Sequence, residues 1–392
     1  MTETTLPVAA APDERRIAKT VAYYVSFIAL GLAAAVLGPT LPGLAVHTGT
    51  AIGPISFLFT AKALGYLLGS LGAGWLYDRV RGHPVLAGML GLMAVMLVFT
   101  PMIPWLGLLA LVILLLGAGE GVLDVGVNTL LLWVHGRSAG PYMNGLHFFF
   151  GLGAFLAPVI LAQAILWSGD INWAYWMLAI LALPAIPLLL RLPSPQHSAT
   201  HHGAKPARIN WLLVALLTLF FFFYVGAEGS FGGWIFTYTT ALHLTTPEIA
   251  AYLTALFWGA LTAGRLLSIP LAARFSHRSI LFVDLLIATA SVGAIILWPG
   301  SLLAVGGGTL GAGLGMASIF PTLLAFAERR LTVTAGVSSW FFVGSGAGGM
   351  VLPALIGQLF ERIGPSVTMY SILASLVVLF GLLAVLLTWA KK

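Results

Sequence analysis

Three polar side chains lie one helical turn apart in a long apolar stretch of the sequence. Glu120, Asp124 and Asn128 are spaced at i, i+4 and i+8 within "LLGAGEGVLDVGVNTLLLWV", so a helix would place them on one face. A charge in the middle of a membrane span costs roughly 2.5–3.5 kcal/mol on insertion scales. Two carboxylates one turn apart also repel each other, and burial favours the neutral acid. We therefore expect at least one of them to bind a proton near neutral pH and to act as a proton carrier.

Lys62 and Arg265 are the basic residues that fall inside apolar stretches. Lys62 could pair with Glu120 or Asp124 and only hold helices together, which is the alternative to proton carriage. Arg265 lies at a depth similar to that of Asp284 in the next predicted helix. This placement predicts a structural ion pair between Arg265 and Asp284, with a place for Arg265 in a polar cavity as the alternative.

Glu228 is a further acid within an apolar stretch, in the glycine-rich segment "YVGAEGSFGGW". Glycine is unfavourable inside helices, and interrupted helices often mark the binding sites of transporters. Glu228 is therefore predicted to couple protons or to contact substrate. The glycines could instead only allow close packing against neighbouring helices.

Polar and aromatic side chains are the candidates for solute contact. Asn144 and His147, one turn apart in "YMNGLHFFF", could form a hydrogen-bonded pair, although a histidine near a helix end often only packs or binds water. Aromatic rings can stack on the apolar face of a sugar, although most aromatics in such a chain face lipid or pack between helices. The candidate solute contacts are Asn128, Asn144, His147, Phe149, Tyr224, Trp234, Trp258 and Trp340.

These groups need a membrane-embedded scaffold to position them. The 392 residues are 59% hydrophobic and 8% charged, with a mean hydropathy of +1.01, whereas soluble domains carry about 25% charged residues. A helix needs about 20 apolar residues to cross a bilayer, and continuous runs of that length favour helices over an outer-membrane barrel. The sequence predicts an all-α membrane protein with twelve transmembrane helices near 18–41, 53–77, 84–104, 105–134, 142–167, 173–191, 210–237, 247–274, 279–298, 301–327, 333–360 and 366–389.

Basic residues indicate which end of the helices faces the cytoplasm, because they concentrate in cytoplasmic loops. With the N- and C-termini both cytoplasmic, nearly all of the 18 Lys and Arg residues fall on that side. Only Arg362 falls outside, while Lys62 and Arg265 lie within helices. The net charge of +6 thus reflects topology, and no nucleic-acid partner is expected. The polar N-terminal stretch is too long for a cleaved signal peptide, so the first helix is expected to remain in the mature protein.

The second half of the chain repeats the first. "LGAGEG" recurs as "LGAGLG" after 194 residues, "GLGAFLAPVILAQ" as "GAGGMVLPALIGQ" after 195, and "GYLL" as "GRLL" after 199. These repeats match helix four to ten, five to eleven and two to eight. They predict two pseudo-symmetric six-helix halves with the same direction in the membrane, 1–191 and 210–392, joined by a cytoplasmic linker at 192–209.

Several motifs give a family resemblance. "GWLYDRVRGHP" is similar to the loop signature between helices two and three of the major facilitator superfamily. "GVLDVGVNT", "FFYVGAEGSFGGWIFTY", "FWGALTAGRLL" and "GMASIFPTLLA" resemble the branch that contains fucose permeases and sodium-dependent glucose transporter-like proteins. The resemblance implies the major facilitator fold, a conformational latch at Asp78 and Arg79, and a coupling role for Asp124, which matches the helix-four acid of the permeases. Those permeases also carry an acid in helix one, where this sequence has none; Glu120 or Glu228 could take its place.

Together these features predict a secondary transporter that works by alternating access and takes up a sugar or similar polyhydroxylated solute with protons. The proton-coupling acids would be Asp124, Glu120 and Glu228. Sodium is the alternative coupling ion, and proton-coupled efflux of drugs or metabolites is the alternative transport mode. A sensor or lipid scramblase on the same scaffold is the alternative outside transport.

No enzymatic activity, cofactor or metal site is expected, because no nucleophile or metal-ligand set accompanies the acids and the chain has no cysteine. The expected protein is a monomer in the cell (inner) membrane. Its expected partners are a small-molecule solute and the lipid bilayer.

Overall fold

The computed structural model describes residues 15–195, 210–331 and 335–389, and every regular element in these ranges is a helix. Twelve helices are long and apolar enough to cross a membrane, which confirms the predicted twelve-helix fold. The predicted linker lies mostly outside the described residues, so its boundaries stay a prediction. The spanning helices are α1 (Arg16–Thr48), α2 (Ile52–Tyr77), α3 (Gly82–Met102), α4 (Leu106–His135), α5 (Ala139–Ser168), α6 (Asn172–Leu190), α7 (Trp211–Ala241), α8 (Pro247–Arg274), α9 (His277–Leu297), α10 (Leu302–Glu328), α11 (Ala335–Ile363) and α12 (Val367–Trp389).

An even number of spans places the start of α1 and the end of α12 at the same face of the bundle. We call this the termini face and the opposite one the far face. α1 extends further toward the far face than the predicted end at residue 41. It continues through Pro39 and Pro42 and ends at Gly49, whose φ of 61° is the left-handed conformation that glycine adopts readily.

The repeat-related helices α4 and α10 differ in continuity. α4 runs without a break, whereas α10 is divided into Leu302–Met316 and Ile319–Glu328. Pro321 lacks a backbone N–H, and its ring crowds the carbonyl four residues earlier, which belongs to Ala317 at the break. At the repeat offset of 194 residues, the α4 counterpart of Pro321 is Val127, so α4 stays regular.

The glycine-rich part of α7 is not interrupted, because α7 is helical from Trp211 to Ala241. Its glycines pack closely against neighbours instead. A Cβ atom at Gly226 would lie 2.2 Å from the side chain of Leu352 in α11. The packing interpretation of these glycines therefore holds, and the interruption near a polar cluster of the second half lies in α10 instead.

Among the described residues, the first six helices meet the last six most extensively along α1 with α7, α2 with α11 and α5 with α8. A Cβ atom at Gly38 would lie only 2.6 Å from the Cα atom of Gly233, so α1 and α7 touch through their backbones. A Cβ atom at Gly151 would lie 2.2 Å from the hydroxyl oxygen of Thr262, which brings α5 equally close to α8.

Hydrogen bonds join α2 to α11 in the half of the bundle nearer the far face. The Gly53 N–H donates to Oε1 of Glu361 at 2.9 Å, and the Gln358 amide donates to the Gly53 carbonyl at 2.7 Å. The Thr60 hydroxyl donates to the Met350 carbonyl at 3.2 Å. We call the contacts of these three helix pairs the far-face seam.

Candidate functional site

Asp124 is held by side chains from two helices. The Tyr66 hydroxyl in α2 donates to Oδ2 of Asp124, and the Asn128 amide donates to Oδ1 at 2.8 Å. Asp124 is half-buried, and Tyr66 is 37% exposed. The predicted stripe on α4 therefore forms, and both carboxylate oxygens of Asp124 face hydrogen-bond donors.

Glu120, one turn nearer the far face, is neutralised by Lys62. The Lys62 ammonium lies 3.1 Å from Oε1 of Glu120, and it donates to the carbonyls of Ala33 and Ala34 in α1 at 2.7 and 3.0 Å. Oε1 of Glu120 has no hydrogen-bond partner of good geometry among the described residues, so its attraction to Lys62 is mainly electrostatic. Glu120 is only 4% exposed, and Lys62 thus ties α1, α2 and α4 together around a buried charge.

Close packing of α2 against α4 makes this ion pair possible. A Cβ atom at Gly117 would lie 2.1 Å from the carbonyl oxygen of Lys62, so any side chain there would separate the two helices. Gly117, the first glycine of "LGAGEG", therefore allows the short distance between Lys62 and Glu120.

A second polar cluster lies in the last six helices. The Arg265 guanidinium in α8 lies 3.6 Å from Oε1 of Glu228 in α7, which is within ion-pair range but too long for a hydrogen bond. The hydroxyl of Tyr224 contacts Oε2 of Glu228, and it lies 2.9 Å from the carbonyl oxygen of Met316. Met316 is the last residue before the break in α10.

The predicted ion pair between Arg265 and Asp284 is not formed. Arg265 lies beside Glu228, and Asp284 in α9 accepts a hydrogen bond from the hydroxyl of Ser318 at the break in α10. Equal depth in two helices does not bring side chains together when the helices are not packed side by side, and α8 and α9 share little contact surface.

Both clusters lie on the termini side of the far-face seam. Along α5 and α8, Gly151 packs against the side chain of Thr262. One turn nearer the termini face, the same two helices carry exposed His147 and partly exposed Arg265. These two side chains are close enough to interact electrostatically. Contact of the Arg265 charge with lipid would be too costly. We therefore infer that His147 and Arg265 line a cleft between the halves that opens toward the termini face.

Asn144 and His147 are both exposed and are not hydrogen-bonded to each other in the described part of the chain. His147 instead packs edge-on against Phe27, with ring centroids 6.0 Å apart. The indole N–H of Trp258 in α8 is buried and has no hydrogen-bond partner among the described residues. Of the predicted solute contacts, Trp258 therefore offers a free donor, and Asn144 and His147 offer accessible polar groups.

The remaining aromatic candidates have other surroundings. Trp234 is fully buried, and its indole N–H donates to the Pro353 carbonyl at 3.1 Å. Tyr224 is 1% exposed, and Phe149 stacks on Tyr24 at 4.7 Å between ring centroids. Trp340 is 50% exposed near the start of α11. In this conformation Trp234 and Tyr224 are closed to a solute.

The predicted latch residues lie at the termini face, just after α2. Asp78 is exposed, and its carboxylate has no hydrogen bond or ion pair with another described residue. The Arg79 guanidinium stacks over the Trp75 ring at 4.4 Å. The expected partner region near residue 333 lies outside the described residues.

Sequence reasoning missed Tyr66 and Ser318, which hold Asp124 and Asp284. A signal for both was present in the repeats. At the offset of 199 residues Tyr66 corresponds to Arg265, and at 194 Asp124 corresponds to Ser318. The equivalent positions Tyr66 and Arg265 thus carry polar groups of different types, and so do Asp124 and Ser318. Polar residues at the same position of both halves indicate that this position lines the cleft.

The fold and the polar cleft between its halves define a membrane transporter. The model of the Major Facilitator Superfamily matches residues 23–353, and the chain belongs to this superfamily. It is 32% identical to Sodium-dependent glucose transporter 1A of Mus musculus, over 86% of this chain and 88% of that protein. It is 30% identical to Sodium-dependent glucose transporter 1 of Homo sapiens, over 85% and 72%.

Two solved structures share the fold at low sequence identity. The nucleoside transporter NupG matches with a TM-score of 0.71 and 12% identity, over 97% of this chain and 100% of that chain. A D-xylose-proton symporter matches with a TM-score of 0.70 and 13% identity, over 93% and 97%. These structures confirm the fold. The family model and the relatives in mouse and human confirm the predicted superfamily, and the chain is a transporter rather than an enzyme.

Proposed function

We propose that this protein takes up a sugar of the glucose class together with protons, and that Asp124 is the proton-coupling acid. The observation that carries the proposal is the placement of Asp124 in the cleft, with Tyr66 and Asn128 donating to its two oxygens. This acid is fixed in position, accessible and without a basic partner among the described residues, so it can gain and lose a proton as the cleft changes sides. Glu120 carries a permanent partner in Lys62 and is the weaker candidate.

The neighbours of Asp124 favour a proton over a metal cation. A hard cation needs several oxygen ligands, whereas Tyr66 and Asn128 point hydrogens at the carboxylate. No cluster of three or more His, Cys, Asp or Glu side chains suited to a metal ion occurs in the described ranges. A proton needs only one carboxylate oxygen, and the donor on that oxygen can turn away.

Sodium coupling is the second candidate, since the relatives in mouse and human are named sodium-dependent glucose transporters. Rotation of the Tyr66 hydroxyl and of the Asn128 amide would turn oxygens toward Asp124 and create part of a sodium site. The same names support a sugar as the solute. The unpaired Trp258 N–H and the accessible Asn144 and His147 are the groups that would meet its hydroxyls.

The distribution of basic residues supports a cytoplasmic termini face in the cell (inner) membrane, so that the cleft opens inward in a monomeric transporter. In this account the far-face seam closes the outer side, and the Asp78 and Arg79 latch closes the inner side in the alternate state. The inward and outward states form one population balance that either contact can shift.

Two substitutions are expected to shift this balance in opposite directions. Gly38→Ala places a methyl group against Gly233, and overpacking of this kind costs about 1–3 kcal/mol, so the outward-open population should rise about tenfold. Asp78→Asn weakens the inner latch by about 1–2 kcal/mol, so the inward-open population should rise by a similar factor. Labelling of single engineered cysteines on each face measures both shifts, because the native chain has no cysteine.

The control for Gly38→Ala is Gly72→Ala, because a Cβ atom at Gly72 meets nothing within 4 Å. Equal labelling of Gly38→Ala and Gly72→Ala would show that the α1 and α7 contact does not close the outer face. Labelling of Asp78→Asn at the wild-type level on both faces would remove Asp78 from the latch.

Uptake into proteoliposomes tests the proposed function. The liposomes are offered radiolabelled D-glucose and a panel of other hexoses and pentoses. The three conditions are an inwardly directed proton gradient without sodium, an inwardly directed sodium gradient without a proton gradient, and no gradient. We expect accumulation under the pH gradient alone. Accumulation under the sodium gradient alone would establish the second candidate, and no accumulation of any sugar would contradict sugar transport.

A further inference from the structure

Tyr224 has one hydroxyl hydrogen but lies against two acceptor oxygens. Its hydroxyl oxygen is 2.9 Å from the Met316 carbonyl oxygen, and it also contacts Oε2 of Glu228. A carbonyl has no hydrogen to give, so the bond to Met316 must use the hydrogen of Tyr224. An ionised Glu228 competes with the Met316 carbonyl for this hydrogen, whereas a protonated Glu228 can donate to the Tyr224 oxygen and leave the hydrogen to Met316.

The position of Arg265 agrees with this count of hydrogens. An ionised Glu228 would be expected to draw the guanidinium into a charge-assisted hydrogen bond of about 2.7–2.9 Å. The separation is 3.6 Å instead, with both side chains partly accessible. Arg265 thus stays at ion-pair range, and Tyr224 is the group in direct contact with the carboxyl of Glu228.

We propose that Glu228 is a proton-binding site and that Tyr224 transmits its protonation to the break in α10. With a proton on Oε2, Glu228 donates to Tyr224, and Tyr224 donates to the Met316 carbonyl. When that proton leaves, the carboxylate attracts the hydrogen of Tyr224, because hydrogen bonds to charged acceptors are the stronger ones. Tyr224 keeps its own proton throughout, and the only bond made or broken is the O–H bond of Glu228.

The loss of the hydrogen bond from Tyr224 to the Met316 carbonyl matters because of where Met316 lies in the fold. Met316 is fully buried and ends the first segment of α10. The break follows from Pro321 and lies beside Ser318, which donates to Asp284 in α9. A buried carbonyl without a donor is unfavourable, so deprotonation of Glu228 destabilises the broken form of α10 and favours a rearrangement of this helix.

Four titratable or charged groups surround Glu228. Tyr224 lies on the same helix, and Arg265 faces Glu228 from α8. Asp284 on α9 and Arg265 both act electrostatically on Tyr224, and His147 on α5 interacts with Arg265 across the seam. Of these groups, Glu228 is the one in contact with the Tyr224 hydroxyl. That hydroxyl is the donor to the Met316 carbonyl.

This inference rests on the proposed function, since proton coupling gives the relay its use. It adds a positioning role for Tyr224, which acts through Glu228 and α10 rather than by touching the solute. It also assigns the last six helices their own proton-sensitive element, separate from Asp124. The relay itself works without any solute, and its test can therefore be made without one.

Infrared difference spectroscopy of the reconstituted protein measures the proton directly. We expect the wild type to show a carboxylic-acid C=O band at the acidic end of a pH titration that Glu228→Gln removes. Tyr224→Phe should retain this band at a shifted frequency, because the acid loses its hydrogen-bond partner. If Glu228→Gln removes no such band, Glu228 is ionised and the proposal is wrong.

Conformation as a function of pH measures the relay. Spin labels on engineered cysteines of α4 and α10 near the termini face report the inward and outward populations without solute. Between the acidic and basic ends of the titration we expect their ratio to change about fivefold or more, the lower end of typical couplings. Glu228→Gln should hold the acidic-end ratio at every pH, and Tyr224→Phe should remove most of the pH response.

Tyr238→Phe is the matched control, because Tyr238 is equally buried on the same helix and contacts no acid in the described part of the chain. If Tyr224→Phe keeps the pH response of the wild type, the relay is wrong. If Tyr238→Phe loses as much of the pH response as Tyr224→Phe does, the effect is not specific to Tyr224 and the relay is also wrong. Glu228→Gln keeps the test decisive if Tyr224→Phe fails to fold. If the relay fails but proton-driven uptake is intact, the proposed function stands. If the relay works but proton-driven uptake is absent, only the proposed function is refuted.

Discussion

Asp124→Asn is expected to abolish proton-driven sugar accumulation while leaving exchange of sugar across the membrane. One pH unit corresponds to about 1.4 kcal/mol and supports about tenfold accumulation at a one-to-one stoichiometry. An asparagine at 124 can still accept from Tyr66, so the cleft keeps its shape, but the amide cannot take up a proton. The accumulation ratio under a pH gradient should therefore fall from about ten to one, with counterflow exchange retained.

Glu248→Gln is the control, because it makes the same chemical change in an acid at the start of α8, at the far face. It should accumulate sugar as the wild type does. Wild-type accumulation in Asp124→Asn would refute the assignment of Asp124. Loss of both accumulation and counterflow would assign Asp124 to solute binding instead of proton coupling.

Lys62→Met is expected to lower the free energy of unfolding by about 3–5 kcal/mol, the range for removing one partner of a buried ion pair. The substitution leaves Glu120 buried without its counterion, and it removes the two hydrogen bonds that Lys62 donates to Ala33 and Ala34. Unfolding in mixed detergent micelles measures the change. Among single substitutions outside the cleft acids, we expect this one to have the largest effect on stability.

The double variant Lys62→Met, Glu120→Leu decides whether the pair only holds the helices together. Replacing both partners by apolar residues of similar volume is often neutral for stability. If the pair is only structural, the double variant recovers both stability and proton-driven uptake. Recovery of stability without uptake would give Glu120 a direct part in coupling, and a double variant as unstable as Lys62→Met would contradict the ion pair as the cause.

The twelve helices and the superfamily could be predicted from the sequence because a bilayer imposes one simple requirement, a run of about 20 apolar residues for each crossing. The stripe of Glu120, Asp124 and Asn128 was predictable for a similar reason, since spacing alone places residues on a helix face. Depth along a helix is also readable from the sequence. The pairing of Arg265 was not, because it depends on which helices pack side by side.

Tyrosines were the main gap in the sequence-based prediction of the site. Tyr66 and Tyr224 bring an apolar ring with a hydroxyl at its tip, so neither stands out in an apolar helix as a charged residue does. Tyr66 was not considered, and Tyr224 was predicted to contact solute although it is buried against Glu228 and Met316. The break in α10 could have been predicted, since Pro321 has no counterpart in α4.

Proton movement evoked by sugar tests the central claim most directly. The protein is reconstituted into liposomes that contain a pH indicator, in sodium-free potassium buffer with the membrane potential held at zero, and D-glucose is added outside. If Asp124 couples sugar to protons, the lumen of the wild-type liposomes acidifies as glucose enters, and Asp124→Asn liposomes admit glucose without acidification. Glucose entry that requires sodium and leaves the luminal pH of the wild type unchanged would contradict the account.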